Sequence, residues 1–116
     1  MTDVRLTIKN PDDKTKSVTG DFLVDSGSGY TVVPASLVKK LKLVPSFYRE
    51  FSLADNRKVK RPVGSAIIRY GNEEIATPVV LGKPGDSALL GALTLEAFGL
   101  ALDPFQRKIY RANLML

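Results

Sequence analysis

An isolated acidic residue, Asp25, stands in the segment FLVDSGSGYTVVP, residues 22–34. Apolar residues flank it at a short distance on both sides, and the three residues directly after it, Ser26, Gly27 and Ser28, are small. A carboxylate among apolar residues is costly to bury unless it is paired or protonated. Two explanations are open at this point. Asp25 either caps backbone N–H groups in a plain turn, or it acts as an acid or base in catalysis.

The amino-acid composition limits the chemistry that this segment can support. The chain has 116 residues and contains neither cysteine nor histidine. Disulfides, thiolate zinc sites, cysteine nucleophiles, Ser-His-Asp triads and imidazole metal sites are therefore excluded. The segment also lacks the third glycine or the Gly-Lys-Ser/Thr of a phosphate-binding loop, and it is not a G-x-S-x-G nucleophile elbow. Carboxylates, hydroxyls, lysines, arginines or a bound cofactor remain as the groups that could do chemistry.

The net charge of +5 comes from 17 Lys and Arg against 12 Asp and Glu. Much of the excess lies in two clusters, Lys39/Lys40/Lys42 and Arg57/Lys58/Lys60/Arg61. Such clusters are compatible with nucleic acid or another acidic partner, but the modest excess favours a solvated surface. No apolar stretch approaches the ~20 residues of a membrane span, and MTDVRLTIKN lacks the apolar core of a signal peptide. We expect one soluble, cytoplasmic domain that does not contact a membrane.

Alternating apolar and polar residues predict the elements that position Asp25. Residues 4–8 follow the two-residue period of a β-strand, and NPDDKTKS is typical of a turn. A second strand over residues 18–24 completes an N-terminal hairpin, which ends directly before Asp25.

The rest of the chain is predicted to be β-rich with two short helices. PASLVKKLKL, from Pro34, indicates a helix with Leu37, Val38 and Leu41 on one face. FYREFSL, KVKRPVGSAIIRY and IATPVVLG indicate strands, with tight turns at ADNR and GNEE. Pro62 and Gly64 favour an edge position or a bulge.

The C-terminal third predicts further short elements. ALLGALTLEAFGL indicates a short strand, a glycine and a helix around residues 93–98. ALDPFQRKIYRANLML indicates two strand-like pieces around an Asp-Pro turn.

These segments together resemble the retropepsin-like family, the single-domain relatives of retroviral protease. FLVDSGSGYTVVP is similar to the family's Asp-Thr/Ser-Gly-Ala/Ser active-site strand and loop. FSLADNRKVKRPVG resembles its flap hairpin, IATPVVLG the following strand, and ALLGALTLEAFGLALDP its second signature. The four segments occur in the family's order and cover nearly the whole chain. Two departures are Ser26 for the commoner Thr, and Ala54-Asp55-Asn56-Arg57 at the flap tip instead of a Gly-rich turn.

The resemblance implies an all-β, closed acid-protease barrel with one or two short helices, formed by residues 1–116 as a single domain. It also implies catalysis by two carboxylates. Since two carboxylates held close together cannot both ionise, the pair keeps one proton and supplies acid and base together. The chain has a single Asp-Ser-Gly and so supplies only one of the two aspartates that the site needs. Asp25 is therefore expected to meet its copy across the twofold axis of a homodimer.

The family's site residues carry over to matching positions. Asp25, Ser26 and Gly27 are the expected catalytic residues: the Ser26 hydroxyl bonds across the axis, and Gly27 lets backbone approach the pair closely. The expected substrate-binding residues are one loop residue and five flap residues: Ser28, Leu53, Ala54, Asp55, Asn56 and Arg57. Leu90-Gly91 is expected to pack beneath the loop in a structural role. A set of apolar residues is expected in the core, with some members lining subsites: Val32, Val33, Val80 and Leu81.

The implied function is a homodimeric aspartic endopeptidase that needs no cofactor and no metal. Its substrate would be an extended peptide or unfolded segment bound as an added strand, with apolar residues flanking the scissile bond. Two alternatives are open. A catalytically weak or silent member of the fold would serve as a dimerisation or peptide-binding module. A basic β-barrel would bind nucleic acid through the 57–61 cluster, although no aromatic residues are interleaved with that cluster for stacking, so nucleic acid is not the expected partner.

Overall fold

The N-terminal strands form the predicted hairpin, with a shorter turn than predicted. In the computed structural model, which describes residues 2–116, β1 (Asp3–Asn10) pairs antiparallel with β2 (Asp13–Val24). The expectation that NPDDKTKS is one long turn, with the second strand starting at residue 18, is wrong. The pairing continues beyond Lys9 through a register shift, and the Asn10 side chain accepts the N–H of Asp12 at 2.8 Å, so the chain reverses within two residues.

The remaining elements follow the predicted order. They are β3 (Thr31–Val33), α1 (Ala35–Leu41), β4 (Phe47–Ser52), β5 (Lys58–Tyr70), β6 (Glu73–Leu81), β7 (Leu89–Leu90), α2 (Ala92–Ala97), β8 (Leu100–Asp103) and β9 (Lys108–Arg111). The protein is mostly β with two short helices, which confirms the fold class at that level. Over residues 2–116, neither helix has the length and apolar character needed to cross a membrane.

Seven strands form one sheet in the order β1-β2-β7-β3-β6-β5-β4, and β1 also pairs with β5. The two-residue strand β7 lies between β2 and β3, parallel to the first and antiparallel to the second. β8 and β9 pair in a separate two-stranded sheet. Because β7 leads directly into α2, this arrangement brings the start of α2 next to the end of β2, where Asp25 follows.

The apolar residues that alternate along the strands form the core. Ile8 and Ile68 face each other in the pairing of β1 with β5, and both are fully buried. Helix α1 adds the side chains predicted for its inner face: Leu41 is buried, and Leu37 and Val38 pack against the core. The core reaches the ends of β2 and β7 through the buried side chains of Val24 and Leu90.

Strand β5 changes neighbours along its length. Residues 58–63 pair with β4, and residues 63–70 pair with β6. β4 and the first half of β5 thus form a two-stranded hairpin, and every residue of β4 is at least partly exposed. The expected edge position of Pro62 is confirmed. Neither pairing shifts register at Pro62 or Gly64, so the strand is regular there and the alternative of a bulge is not needed.

Gly64 lies where the chain between α1 and β4 passes close to β5. A Cβ atom there would lie 2.6 Å from the backbone oxygen of Val44 and 3.3 Å from Leu81 Cδ1. We expect Gly64→Ala to lower the free energy of unfolding by about 1–3 kcal/mol, because the backbone must move to admit the methyl group. Urea denaturation measures the change. Gly20→Ala in β2 is the matched control, since nothing lies within 4 Å of its added Cβ; equal losses in the two variants would contradict the close approach.

Candidate active site

Asp25 is held at the end of β2 by three backbone contacts. Its N–H donates to the Leu90 oxygen of β7 at 3.0 Å, and its carbonyl oxygen accepts the Ser28 N–H at 3.1 Å. Its Oδ1 accepts the N–H of Gly27 at 3.0 Å. The side chain is half-buried. Asp25 therefore does cap its own turn, as the plain-turn explanation requires, and it also presents a carboxylate at the surface of a cavity.

The loop after Asp25 caps the start of α2. The carbonyl oxygens of Ser28 and Gly29 accept the N–H groups of Ala92 and Leu93 at 2.8 and 2.9 Å. The Ser28 hydroxyl donates to the Tyr30 oxygen at 2.8 Å, which fixes the loop from within. The backbone N–H groups at the start of α2, more than 60 residues further along the chain, thus help to hold the loop after Asp25 in place.

Gly91 lets the start of α2 lie directly against the loop after Asp25. This agrees with the structural role expected for Leu90-Gly91, which is to pack beneath that loop. A Cβ atom at Gly91 would overlap the backbone of Tyr30. The Gly91 N–H donates to Thr31 Oγ1 at 3.1 Å, and the hydroxyls of Thr31 and Thr94 lie 2.6 Å apart. Both threonines are fully buried. Sequence reasoning missed this pair; the available signal was a threonine at the start of an apolar strand, which needs a partner when buried.

A cavity of about 770 Å³ lies between this loop and the β4–β5 hairpin. Of the expected site residues, it brings together Asp25, Gly27, Ser28, Leu53 and Ala54. The other expected site residues lie outside its lining: Ser26, Asp55, Asn56 and Arg57.

The four expected core residues divide between two roles. Val32 and Val80 line the cavity. Val33 and Leu81 are buried in the core. Adjacent residues of a strand point to opposite faces, so each strand supplies one residue to the cavity and one to the core.

The tip of the β4–β5 hairpin forms the turn predicted at ADNR. The Leu53 N–H donates to the Arg57 oxygen at 2.8 Å, and Asn56 has a positive φ of 68°. The Arg57 side chain donates to Asp55 Oδ2 at 2.6 Å. Asp55 and Arg57 are thus paired with each other at the tip, outside the cavity lining.

An aromatic contact connects the hairpin to the loop. The ring centroids of Tyr30 and Phe51 lie 5.6 Å apart with an angle of 76° between the planes, which is an edge-to-face arrangement. Both residues line the cavity. The contact joins strand β4 to the loop that carries Asp25, within a single chain.

Arg61 and Asp86 form an ion pair in the wall of the same cavity. Arg61 Nε donates to Oδ2 at 2.8 Å and Nη2 donates to Oδ1 at 3.2 Å, and the two side chains are 20% and 25% exposed. Arg61 lowers the pKa of Asp86 below its usual value, and Asp86 raises the pKa of Arg61. Sequence reasoning placed Arg61 in a surface cluster and missed the pair. Its alternation with Val59 and Val63 was the signal for an inward-facing position.

The basic cluster at residues 57–61 is less available to a partner than the sequence indicates. In the 57–61 cluster, Arg57 pairs with Asp55 and Arg61 pairs with Asp86, while Lys58 lies 3.7 Å from Glu50. The lysines at 39, 40 and 42 are exposed. Among residues 2–116, no group of three or more acidic side chains is placed to hold a metal ion.

We expect Asp86→Asn to lower the free energy of unfolding at pH 7 by about 1 kcal/mol. Because the folded-state pKa of Asp86 lies below its ordinary 3.8, the ionised pair stabilises the fold above that pH, and this contribution is lost as pH falls through the lowered value. Urea denaturation at neutral and strongly acidic pH measures both effects. Asp3→Asn, at an exposed position, is the control. A difference between wild type and Asp86→Asn that stays constant with pH would contradict the ionic origin.

Comparison with known proteins gives one family. A family model described as aspartyl protease matches residues 4–93. The matched range runs from β1 to the first residues of α2, so it includes the Asp-Ser-Gly loop and the β4–β5 hairpin. No curated protein matches the chain.

Proposed function

The chain belongs to the aspartyl protease family, in its retropepsin-like branch, and we propose that it is a homodimeric aspartic endopeptidase. The observation that carries the proposal is the position of Asp25. Its carboxylate lies in the wall of a cavity of about 770 Å³, on a loop that β7 and α2 hold in place. A concave site with mostly apolar lining and a few fixed polar groups suits a peptide ligand.

The chemistry requires two such carboxylates. Hydrolysis without a metal or a covalent nucleophile needs a base to take a proton from water while an acid protonates the carbonyl oxygen or the leaving amine. Two aspartates that share one proton meet both needs: the ionised one accepts the water proton as the oxygen attacks the carbonyl carbon, and the protonated one donates to the carbonyl oxygen. As the tetrahedral intermediate collapses and its C–N bond breaks, the carboxyl that took the water proton gives it to the leaving nitrogen. The other carboxylate takes a proton from a hydroxyl of the intermediate, which forms the carboxylic acid product and restores the shared proton of the pair. One chain supplies only one Asp25.

We infer that a second copy of the chain supplies the other carboxylate across a twofold axis next to Asp25. Ser26 follows Asp25 directly and is exposed, so its hydroxyl is available to a partner loop. The pairing of β1 with β5 supports a closed barrel in each copy, because it connects the first strand of the sheet back to a strand near its other end.

The substrate is an extended peptide or an unfolded segment. The β4–β5 hairpin acts as a flap over the peptide, with Leu53 and Ala54 facing it from the cavity wall and Asp55, Asn56 and Arg57 at the tip. The Ser28 oxygen, which donates its proton to Tyr30, still has lone pairs to accept a substrate N–H. Apolar side chains next to the scissile bond match the lining by Val32, Val80 and Leu89 (all three in the cavity wall).

Casein hydrolysis across pH 4–7 tests the proposal. Wild-type protein should be most active on the acidic side, roughly pH 4–6.5, where the pair holds one proton. Asp25→Asn should reduce the rate by about 10³-fold, because the neutral amide keeps the shape but cannot act as a base. Asp21→Asn is the matched control, since Asp21 is exposed on β2 and pairs with Arg5 at 3.2 Å.

The outcomes separate the alternatives. Turnover by Asp25→Asn at the wild-type rate would place the chemistry elsewhere. No hydrolysis by either protein would favour the catalytically silent peptide-binding module over the enzyme.

The shared site also makes activity depend on association. Specific activity should fall as the protein is diluted through the dimer Kd, which sedimentation measures independently. Adding excess Asp25→Asn protein to wild type should inhibit it, because mixed dimers hold one carboxylate instead of two. Excess Asp21→Asn protein should not inhibit. Full activity from a monomer in sedimentation would contradict the shared site.

A further inference from the structure

The Arg61 guanidinium is fixed in the cavity wall with part of its donor capacity unused. Its Nε and Nη2 donate to Asp86, and its Nη1 donates to the Lys60 oxygen at 3.0 Å. A guanidinium carries five N–H donors, two of them on each terminal nitrogen. Within the part of the chain that the structure describes, one N–H on Nη1 and one on Nη2 have no hydrogen-bond acceptor. The Arg61 side chain lines the cavity and is 20% exposed.

Asp86, in contrast, has little acceptor capacity left. Its Oδ2 accepts from Arg61 Nε at 2.8 Å and from the Lys83 N–H at 2.9 Å, and its Oδ1 accepts from Arg61 Nη2 at 3.2 Å. A carboxylate has about four acceptor sites, so most are occupied. This end of the cavity therefore offers donors to a ligand rather than acceptors.

The charges around the pair favour an anionic ligand. The β4–β5 hairpin from residue 47 to residue 61 carries five cationic side chains against two carboxylates. The loop between β6 and β7 adds Lys83, which is exposed next to Asp86 in the turn. Apart from Arg61, these cationic side chains lie outside the cavity lining, so their positive charge acts on an approaching anionic ligand at longer range.

We propose that Arg61 forms a subsite that selects substrates with an acidic side chain, Glu or Asp. The two remaining N–H groups on Nη1 and Nη2 bind its carboxylate as a fork, a geometry that guanidinium and carboxylate share. Asp86 is a positioning residue, because it holds the guanidinium in place before the peptide arrives and so reduces the entropy lost on binding. The inference rests on the proposed function for its ligand, an extended peptide.

The experiment measures peptide binding apart from hydrolysis. Asp25→Asn protein is titrated with fluorescein-labelled octapeptides that have Leu-Phe at the centre and alanine elsewhere, with Glu, Gln or Lys placed in turn at each outer position. At pH 6, fluorescence anisotropy should show that Glu at one position binds about fivefold more tightly than Gln there.

Three further variants on the Asp25→Asn background identify the group responsible. The pair of changes Arg61→Gln and Asp86→Asn should abolish the preference without leaving either charge unpaired. Arg61→Lys keeps a charge next to Asp86 but loses the fork, so it should reduce the preference to about twofold. Arg69→Gln, near the other end of β5, is the matched control and should keep the full preference, since Arg69 donates to the Gly71 oxygen and does not line the cavity.

Equal affinities for Glu and Gln peptides at every position, or no peptide binding at all, would overturn the subsite. A preference that survives in both Arg61 variants would also overturn it. Casein hydrolysis by wild type distinguishes this inference from the proposed function. Hydrolysis without Glu selectivity refutes the subsite alone, whereas Arg61-dependent selectivity without hydrolysis refutes the peptidase and supports an acidic-peptide site.

Discussion

The insertion of β7 between β2 and β3 is the constraint on which the site depends. A two-residue strand pairs with both neighbours, and its Leu90 oxygen holds the Asp25 N–H. The next residue, Gly91, brings the helix start against the backbone of the loop. A side chain at that position would separate the two segments. The position of Asp25 is therefore set by backbone geometry.

The cavity results from a second property of the fold, the length of β5. The first half of β5, residues 58–63, belongs to the exposed hairpin with β4. The second half, residues 63–70, pairs with β6 in the body of the sheet. Its Arg61 is bound to Asp86 on the loop that leads to β7. Two contacts thus connect the hairpin to the segments around Asp25. One is the Arg61–Asp86 ion pair in the cavity wall, and the other is the contact between the rings of Tyr30 and Phe51. These segments therefore form a continuous, hydrogen-bonded wall around the cavity.

The sequence predicted the features that depend on local patterns. The hairpin of β1 and β2, the inner face of α1, the turn at ADNR and the segment order all follow from periodicity and turn residues. It did not predict where β2 starts, because a register shift and the Asn10 side chain shorten the turn. It also missed the partners of Thr31 and Arg61, which are Thr94 and Asp86. Each partner is distant along the chain and comes close only in the completed fold. Pairings of this kind leave no periodic signal.

The edge-to-face contact between Tyr30 and Phe51 gives the cavity a kinetic property. An aromatic pair of this geometry contributes about 1 kcal/mol, so conformations with the contact intact outnumber those without it by roughly fivefold. A peptide that can enter only after the rings separate meets a binding-competent form in that minority, and its apparent association rate falls by the same factor. For a peptide that enters in this way, the strength of one ring contact sets how fast the cleft is filled.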